Sequence, residues 1–181
     1  MTYVSQHDFE QRLRRRLRGA KRVAVVGIGD DLAPHDRLGM LAAREVEGLH
    51  LPNVKVFLAG TVPESVTGPI RRYKPDHVLL LDAADMGARP GTVAIVHADE
   101  VQARLLSTHA LPLSVVMEFL AEDAKTQVTL VGIQPNTAHH GEIPCSQEQA
   151  GLTRLLVSIF HILGQQLGRK GKALTRGSRA L

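Results

Sequence analysis

Three polar clusters in this chain stand where side chains from different segments could meet around one cation. Asp30, Asp31 and Asp36 follow the apolar run RVAVVGIG, Asp82 and Asp85 close the run HVLLLDAAD, and His109 stands just ahead of LPLSVVMEFLAED. Carboxylate oxygens with an imidazole nitrogen form the donor set of a hard-to-borderline divalent site, of the kind that suits Zn, Ni or Fe. Asp36, Asp82 and His109 are the candidates for one such O,O,N set. A local reading of the same residues is also open: Asp82 caps the turn after its strand, Asp36 caps a helix that starts near Leu38, and His109 is simply polar at a helix start. Spacing alone does not choose between the two.

Other chemistries have less to stand on. Gly27 and Gly29 open like a dinucleotide-binding loop, but the third glycine is due three residues after Gly29, where the chain has Leu32. The loop GIGDDLAPHDRLG also carries three carboxylates, which repel a pyrophosphate instead of cradling it. Neither the Gly-Lys-Ser/Thr of a phosphate-binding loop nor a G-x-S-x-G nucleophile turn occurs. Cys145 is the only thiol; as a nucleophile it would need an oriented base, and His139 and His140 are the nearest imidazoles in sequence. The blander reading makes Cys145 interior filler and the two histidines part of a solvated loop.

The elements that would carry these residues follow from periodicity. Four short, β-branched or leucine-rich runs, at 22–29, 54–60, 77–85 and 127–135, predict strands, with 77–85 the most apolar and therefore mid-sheet; a fifth is predicted over 92–98. Phe9, Leu13 and Leu17 at four-residue spacing predict an amphipathic helix over 8–18 that packs across a sheet edge. Further helices are predicted over 38–48, 111–123 and 146–167, with a weak one over 64–73 interrupted by Gly68 and Pro69. Strands alternating with helices predict a single-domain α/β layered fold, its largely parallel twisted sheet flanked by helices. In such a sheet ligands sit at the carboxyl ends of the strands, which is where Asp36 and Asp82 fall.

Length and composition narrow the class. At 181 residues and 44% hydrophobic the chain is sized for one globular domain, and no apolar window is long enough to span a membrane. Its first 22 residues have no apolar core of a secretory signal, and one Cys cannot form an intrachain disulfide, so a reducing, cytoplasmic setting is expected. With no Trp, 2 Tyr and 4 Phe there is little to stack on bases, and no nucleic-acid partner is expected. The net charge of +4 is uneven. Residues 1–22 hold 7 Lys/Arg against 2 acids and 169–181 hold 5 against none, leaving 10 against 16 in residues 23–168. The body is thus acidic between two basic ends, which read as solubilising arms or as anion-attracting ones. The domain is expected over 1–168, with 169–181 a disordered basic tail.

Taken together, the segments resemble the nickel-iron hydrogenase maturation endopeptidases over about residues 22–167. Gly29 to Gly39, GDDLAPHDRLG, falls in register with that family's loop G-N-x-x-x-x-D-[D/E]-G-x-G, placing Asp36 on its acidic metal-contacting position. LLLDAAD, with Asp82, matches the family's central strand, and Ser107 to Leu113 matches its Thr-His-x-Leu-Pro-Leu stretch through His109. The strand ending Gly132, Ile133, Gln134, Pro135 resembles the branch that serves formate hydrogenlyase and related membrane-bound hydrogenases. The resemblance implies an endopeptidase, of aspartate type or using activated water, that removes the C-terminal peptide of a hydrogenase large-subunit precursor. Asp36 and Asp82 would then be the catalytic candidates, and Asp36, Asp82 and His109 would contact nickel already held in that precursor, with no permanently bound cofactor and the enzyme a monomer. Three positions depart from the pattern: Asp30 stands for Asn, His35 for the first acid of the pair, and Arg37 for Gly. Arg37 brings a cation beside Asp36 and could compete with a metal for its oxygens; His35 could serve as an added ligand or proton shuttle. A non-proteolytic module that binds metal or escorts the precursor is the alternative, with Arg37 its best support.

Overall fold

The computed structural model describes residues 6–97, 112–123 and 125–168. His109 and the basic tail predicted over 169–181 therefore lie outside the described residues. In chain order the elements are α1 (Gln6–Arg16), β1 (Val23–Ile28), α2 (Leu38–Gly48), β2 (Val54–Gly60), a 3-10 turn (Pro63–Val66), α3 (Thr67–Tyr73), β3 (His77–Ala83), β4 (Val93–Val96), α4 (Leu113–Asp123), β5 (Gln127–Ile133) and α5 (Ser146–Gly168).

The five strands form one sheet in the order β2-β1-β3-β5-β4. The first four of these run parallel, and β4 pairs antiparallel with β5 at the edge. The α/β fold is thus as predicted, with β3 in the centre, where its seven residues are all buried. A strand covered on both faces must be apolar on both, and its alternate residues feed two cores. Leu79 and Leu81 join Val23 and Val25 in a core built with Leu13 of α1, Leu17 just past its end, Leu38 and Val46 of α2, and Leu155 and Ile159 of α5. Val78 and Leu80 face the opposite way, with Ala24 and Val26, onto Ile70 of α3 and Val116 and Leu120 of α4. Helix α1 does pack at a sheet edge, against β4.

Two local expectations need correction. The predicted weak helix over 64–73 is not interrupted at Gly68 and Pro69, because a 3-10 turn ends at Val66 and α3 begins at Thr67. Pro69 then lies in the first turn, where backbone N–H groups have no intrahelical acceptor and its missing donor costs nothing. The edge strand is shorter than the run 92–98 suggests, Val93–Val96.

Candidate active site

Two glycines let the β1–α2 connection lie directly on the sheet edge. At Gly39 an added Cβ would stand 2.2 Å from the Leu81 carbonyl oxygen and 2.4 Å from that of Ile28. At Gly29, with φ +126°, it would stand 1.9 Å from the carbonyl oxygen of Asp36. Only glycine fits either contact, so the loop folds back over the end of β1, and α2 starts against the ends of both β1 and β3. Backbone bonds hold the loop in turns: Ala33 N to Asp30 O, Asp36 N to Ala33 O and Arg37 N to the same oxygen.

The structure sorts the three carboxylates of this loop. Asp30 Oδ1 accepts the N–H of Leu32, closing an Asx turn. Asp31 turns outward to a two-point ion pair with Arg44 of α2, and the guanidinium holds its carboxyl below the usual range. Asp36 alone turns inward. It is 7% exposed; its Oδ2 accepts the backbone N–H of Asp30 at 2.8 Å, and its Oδ1 is buried with no hydrogen-bond partner among the described residues. Asp36 does not cap α2, whose cap position is Arg37 and carries no side-chain cap bond.

Asp82 is the penultimate residue of β3, fully buried, paired with Gly132 of β5. Its Oδ1 accepts the N–H of Ala83 at 2.8 Å. Since Leu81 pairs with Gly27 of β1, and Gly39 rests on the Leu81 carbonyl, Asp36 and Asp82 come to the same edge of adjacent strands. Asp85, the other acid of that cluster, is exposed and accepts the N–H of Gly87. Of the predicted set, two members share the carboxyl end of the sheet, while His109 lies outside the described residues. Among the described residues, no three His, Cys, Asp or Glu side chains are placed to hold a metal ion by themselves.

Arg37 departs from expectation. Its guanidinium turns away from Asp36 and donates to the carbonyls of Gly141 and Glu142, in the β5–α5 connection, so among the described residues no ion pair takes up the Asp36 oxygens. It is 7% exposed, and its Nε is buried without a partner among the described residues. The contact ties two site loops together across more than 100 residues of chain. His35 is exposed, and the His139 ring is engaged with the Ile143 carbonyl at 2.9 Å. Cys145 is half-buried, with Asn136 Nδ2 3.9 Å from its sulfur, and no imidazole among the described residues bonds to it. Among the described residues, a cysteine nucleophile thus has no base.

Two supporting residues escaped the reading of the sequence. Buried Glu148 accepts the N–H of Asn136 with Oε1 and that of Cys145 with Oε2, pinning both ends of the β5–α5 loop at the start of α5. The bond to Cys145 is the acid half of a capping box, so an acid three residues past the cap was the available signal. Buried Gln134 accepts the N–H groups of Met86 and Ala88 and donates to Asp85, fastening the β3 exit loop to the end of β5. Nothing in its local spacing marks it.

The sequence model described as hydrogenase maturation protease, HycI, matches residues 40–159, which include Asp82 and begin just past Asp36. A Methanocaldococcus jannaschii protein described as a hydrogenase maturation protease is 32% identical over 128 residues, 66% of this chain and 76% of its own. The hydrogenase 3 maturation protease of Escherichia coli K12 is 32% identical over 110 residues, 60% of this chain and 70% of its own. Among solved structures, the nickel-iron hydrogenase maturation protease HycI of Thermococcus kodakarensis KOD1 superposes with a TM-score of 0.73 at 32% identity, covering 84% of this chain and 98% of that one.

Proposed function

We propose, from the premise that this chain belongs to the hydrogenase maturation protease family and is a peptidase, that it removes the C-terminal peptide of a nickel-iron hydrogenase large-subunit precursor once nickel is in place. Nickel is here part of the substrate, a recognition element held mainly by the precursor. The observation that carries the reading is the Asp36 carboxylate. One oxygen is spent on positioning the loop, and the other is buried without a partner among the described residues, at the strand edge that also carries Asp82. A buried carboxylate oxygen with nothing bound to it is costly unless something completes it. An incoming cation is the partner that an anionic, acceptor-only group suits best.

Asp36 and Asp82 would supply oxygen donors, and His109, by the family resemblance, the nitrogen. A donor set with open positions can share a cation that the precursor's own ligands hold, so a nickel-free precursor would lose those contacts and bind less well. Peptide hydrolysis then needs a water whose oxygen bonds to the scissile carbonyl carbon while the C–N bond breaks. Asp36 or Asp82 takes the water's proton, which ends on the leaving amine. A cysteine acyl intermediate has less support, since no imidazole among the described residues bonds to Cys145.

Two apolar side chains stand out from the loops joined by Arg37: Leu32, 91% exposed, and Ile143, 68% exposed. On the rim of a peptidase site they suit an apolar stretch of the precursor. No helix among the described residues is long and apolar enough to cross a membrane. A cytoplasmic, monomeric enzyme that acts on a protein and not on nucleic acid completes the proposal.

The test is intact-mass analysis of the organism's own nickel-loaded precursor after incubation with wild type and with Asp82→Asn. Loss of a C-terminal peptide with wild type only is expected. A precursor that binds yet stays intact with wild type would make the protein an escort instead.

A further inference from the structure

At the opposite end of the sheet from Asp36 and Asp82, helix α1 and the end of β4 flank a half-open cleft of about 260 Å³, lined by Arg12, Arg15, Arg16, Ile95 and His97. The three arginines are spaced i, i+3, i+4, so all lie on one face of α1, where like charges destabilise the helix. The fourth arginine of the helix, Arg14, points elsewhere and is paired with Glu10 at 3.0 Å. Among the described residues, Arg12, Arg15 and Arg16 make no ion pair or side-chain hydrogen bond. The helix therefore gathers three guanidinium groups, unpaired among the described residues, around one hollow, with the imidazole of His97 just past the end of the facing strand.

We infer that this cleft is a binding site for a small phosphate-type oxyanion. Guanidinium forks match tetrahedral phosphate oxygens in paired N–H contacts, and three of them call for a ligand with more than one negative charge. The volume falls below the roughly 300 Å³ at which clefts begin to hold drug-sized ligands, so the ligand is compact, of the order of inorganic phosphate or pyrophosphate. The three arginines belong to the basic end at residues 1–22, and an anion in the pocket relieves the repulsion within α1.

The test is isothermal titration of the full chain with inorganic pyrophosphate at fixed ionic strength, with chloride as the matched salt. Saturable one-site binding is expected, weakened about tenfold or more in Arg12→Gln/Arg16→Gln and within about twofold of wild type in Arg14→Gln. Arg12 and Arg16 are exposed and Arg14 is half-buried, and matching thermal midpoints would establish that both variants fold. An Arg12→Lys/Arg16→Lys variant keeps the charge but loses the forks, and should bind several-fold more weakly than wild type. Absence of saturable binding would overturn the inference. So would equal binding by all variants, which would place the anion elsewhere, or equally tight binding of citrate, which would make the pocket a general anion sink.

Discussion

Asp36 Oδ2 accepts the backbone N–H of Asp30 at 2.8 Å, closing the first loop on itself, while Asp36 Oδ1 stays buried and has no partner among the described residues. The two oxygens of one carboxylate thus do different work, and two substitutions separate them. Asp36→Asn keeps an oxygen for the Asp30 N–H, so its thermal midpoint should stay near wild type while precursor cleavage falls by about 10²-fold or more. Asp36→Ala should lose cleavage equally and also about 1 to 3 kcal/mol of stability, readable by urea denaturation, because the loop N–H loses a charged acceptor. A cleavage-competent Asp36→Asn enzyme would contradict the role given to Oδ1.

The glycine at 39 sets how close α2 comes to the strand ends. Gly39→Ala puts a methyl 2.2 Å from one strand carbonyl and 2.4 Å from another, both backbone, so the helix must move. A loss of about 3 kcal/mol, the upper end for overpacking, is expected in denaturant unfolding. Since Asp36 precedes that helix by two residues, cleavage should drop further than stability explains.

Arg37 binds the β5–α5 loop to the β1–α2 loop through two charge-assisted bonds. Arg37→Met keeps much of the side-chain volume and removes both donors. Amide hydrogen exchange should quicken at His139, whose N–H donates to the Asn136 carbonyl, with a global cost of about 1 to 3 kcal/mol. Exchange unchanged in that loop would mean that Glu148, which pins both its ends, suffices without Arg37.

Much of this architecture was readable beforehand because its signals are local. The helix period of Phe9, Leu13 and Leu17 and the apolar run at 77–85 report directly on what is buried. The placement of Asp36 and Asp82 followed from the rule that functional groups in parallel sheets gather at strand ends. What could not be read depends on contacts between distant residues. Arg37 looked like a competitor for Asp36 because the two are neighbours in sequence, yet its guanidinium reaches carbonyls of Gly141 and Glu142. Gln134 looked like any strand-end residue, and only the fold brings the 86–88 loop to its amide. The antiparallel pairing of β4 likewise depends on the path between strands, which periodicity does not report.

His77 supplies a pH dependence away from the site. It is buried at the start of β3, with Nε2 2.9 Å from Thr129 Oγ1. Burial, helped by the charge of Arg16 and opposed by a hydrogen bond to Gln127, lowers its pKa from 6.5 to about 4. The unfolded chain therefore takes up a proton near pH 6.5 that the folded chain refuses until about pH 4. Stability should be undiminished above pH 6.5, fall as the pH drops through that window, and level off below it, for a total of about 3 kcal/mol from this group. Denaturation series between pH 4 and 7 on wild type and His77→Gln check this, the variant being expected to show a flatter slope.

The most direct test of the central claim is whether cleavage depends on nickel in the substrate. Nickel-loaded and nickel-free forms of the same precursor, incubated with the wild-type protein, should differ in intact mass, with the C-terminal peptide lost from the loaded form alone. Equal cleavage of both forms would contradict the reading of Asp36 and Asp82 as nickel-contacting groups and leave them as general hydrolytic carboxylates.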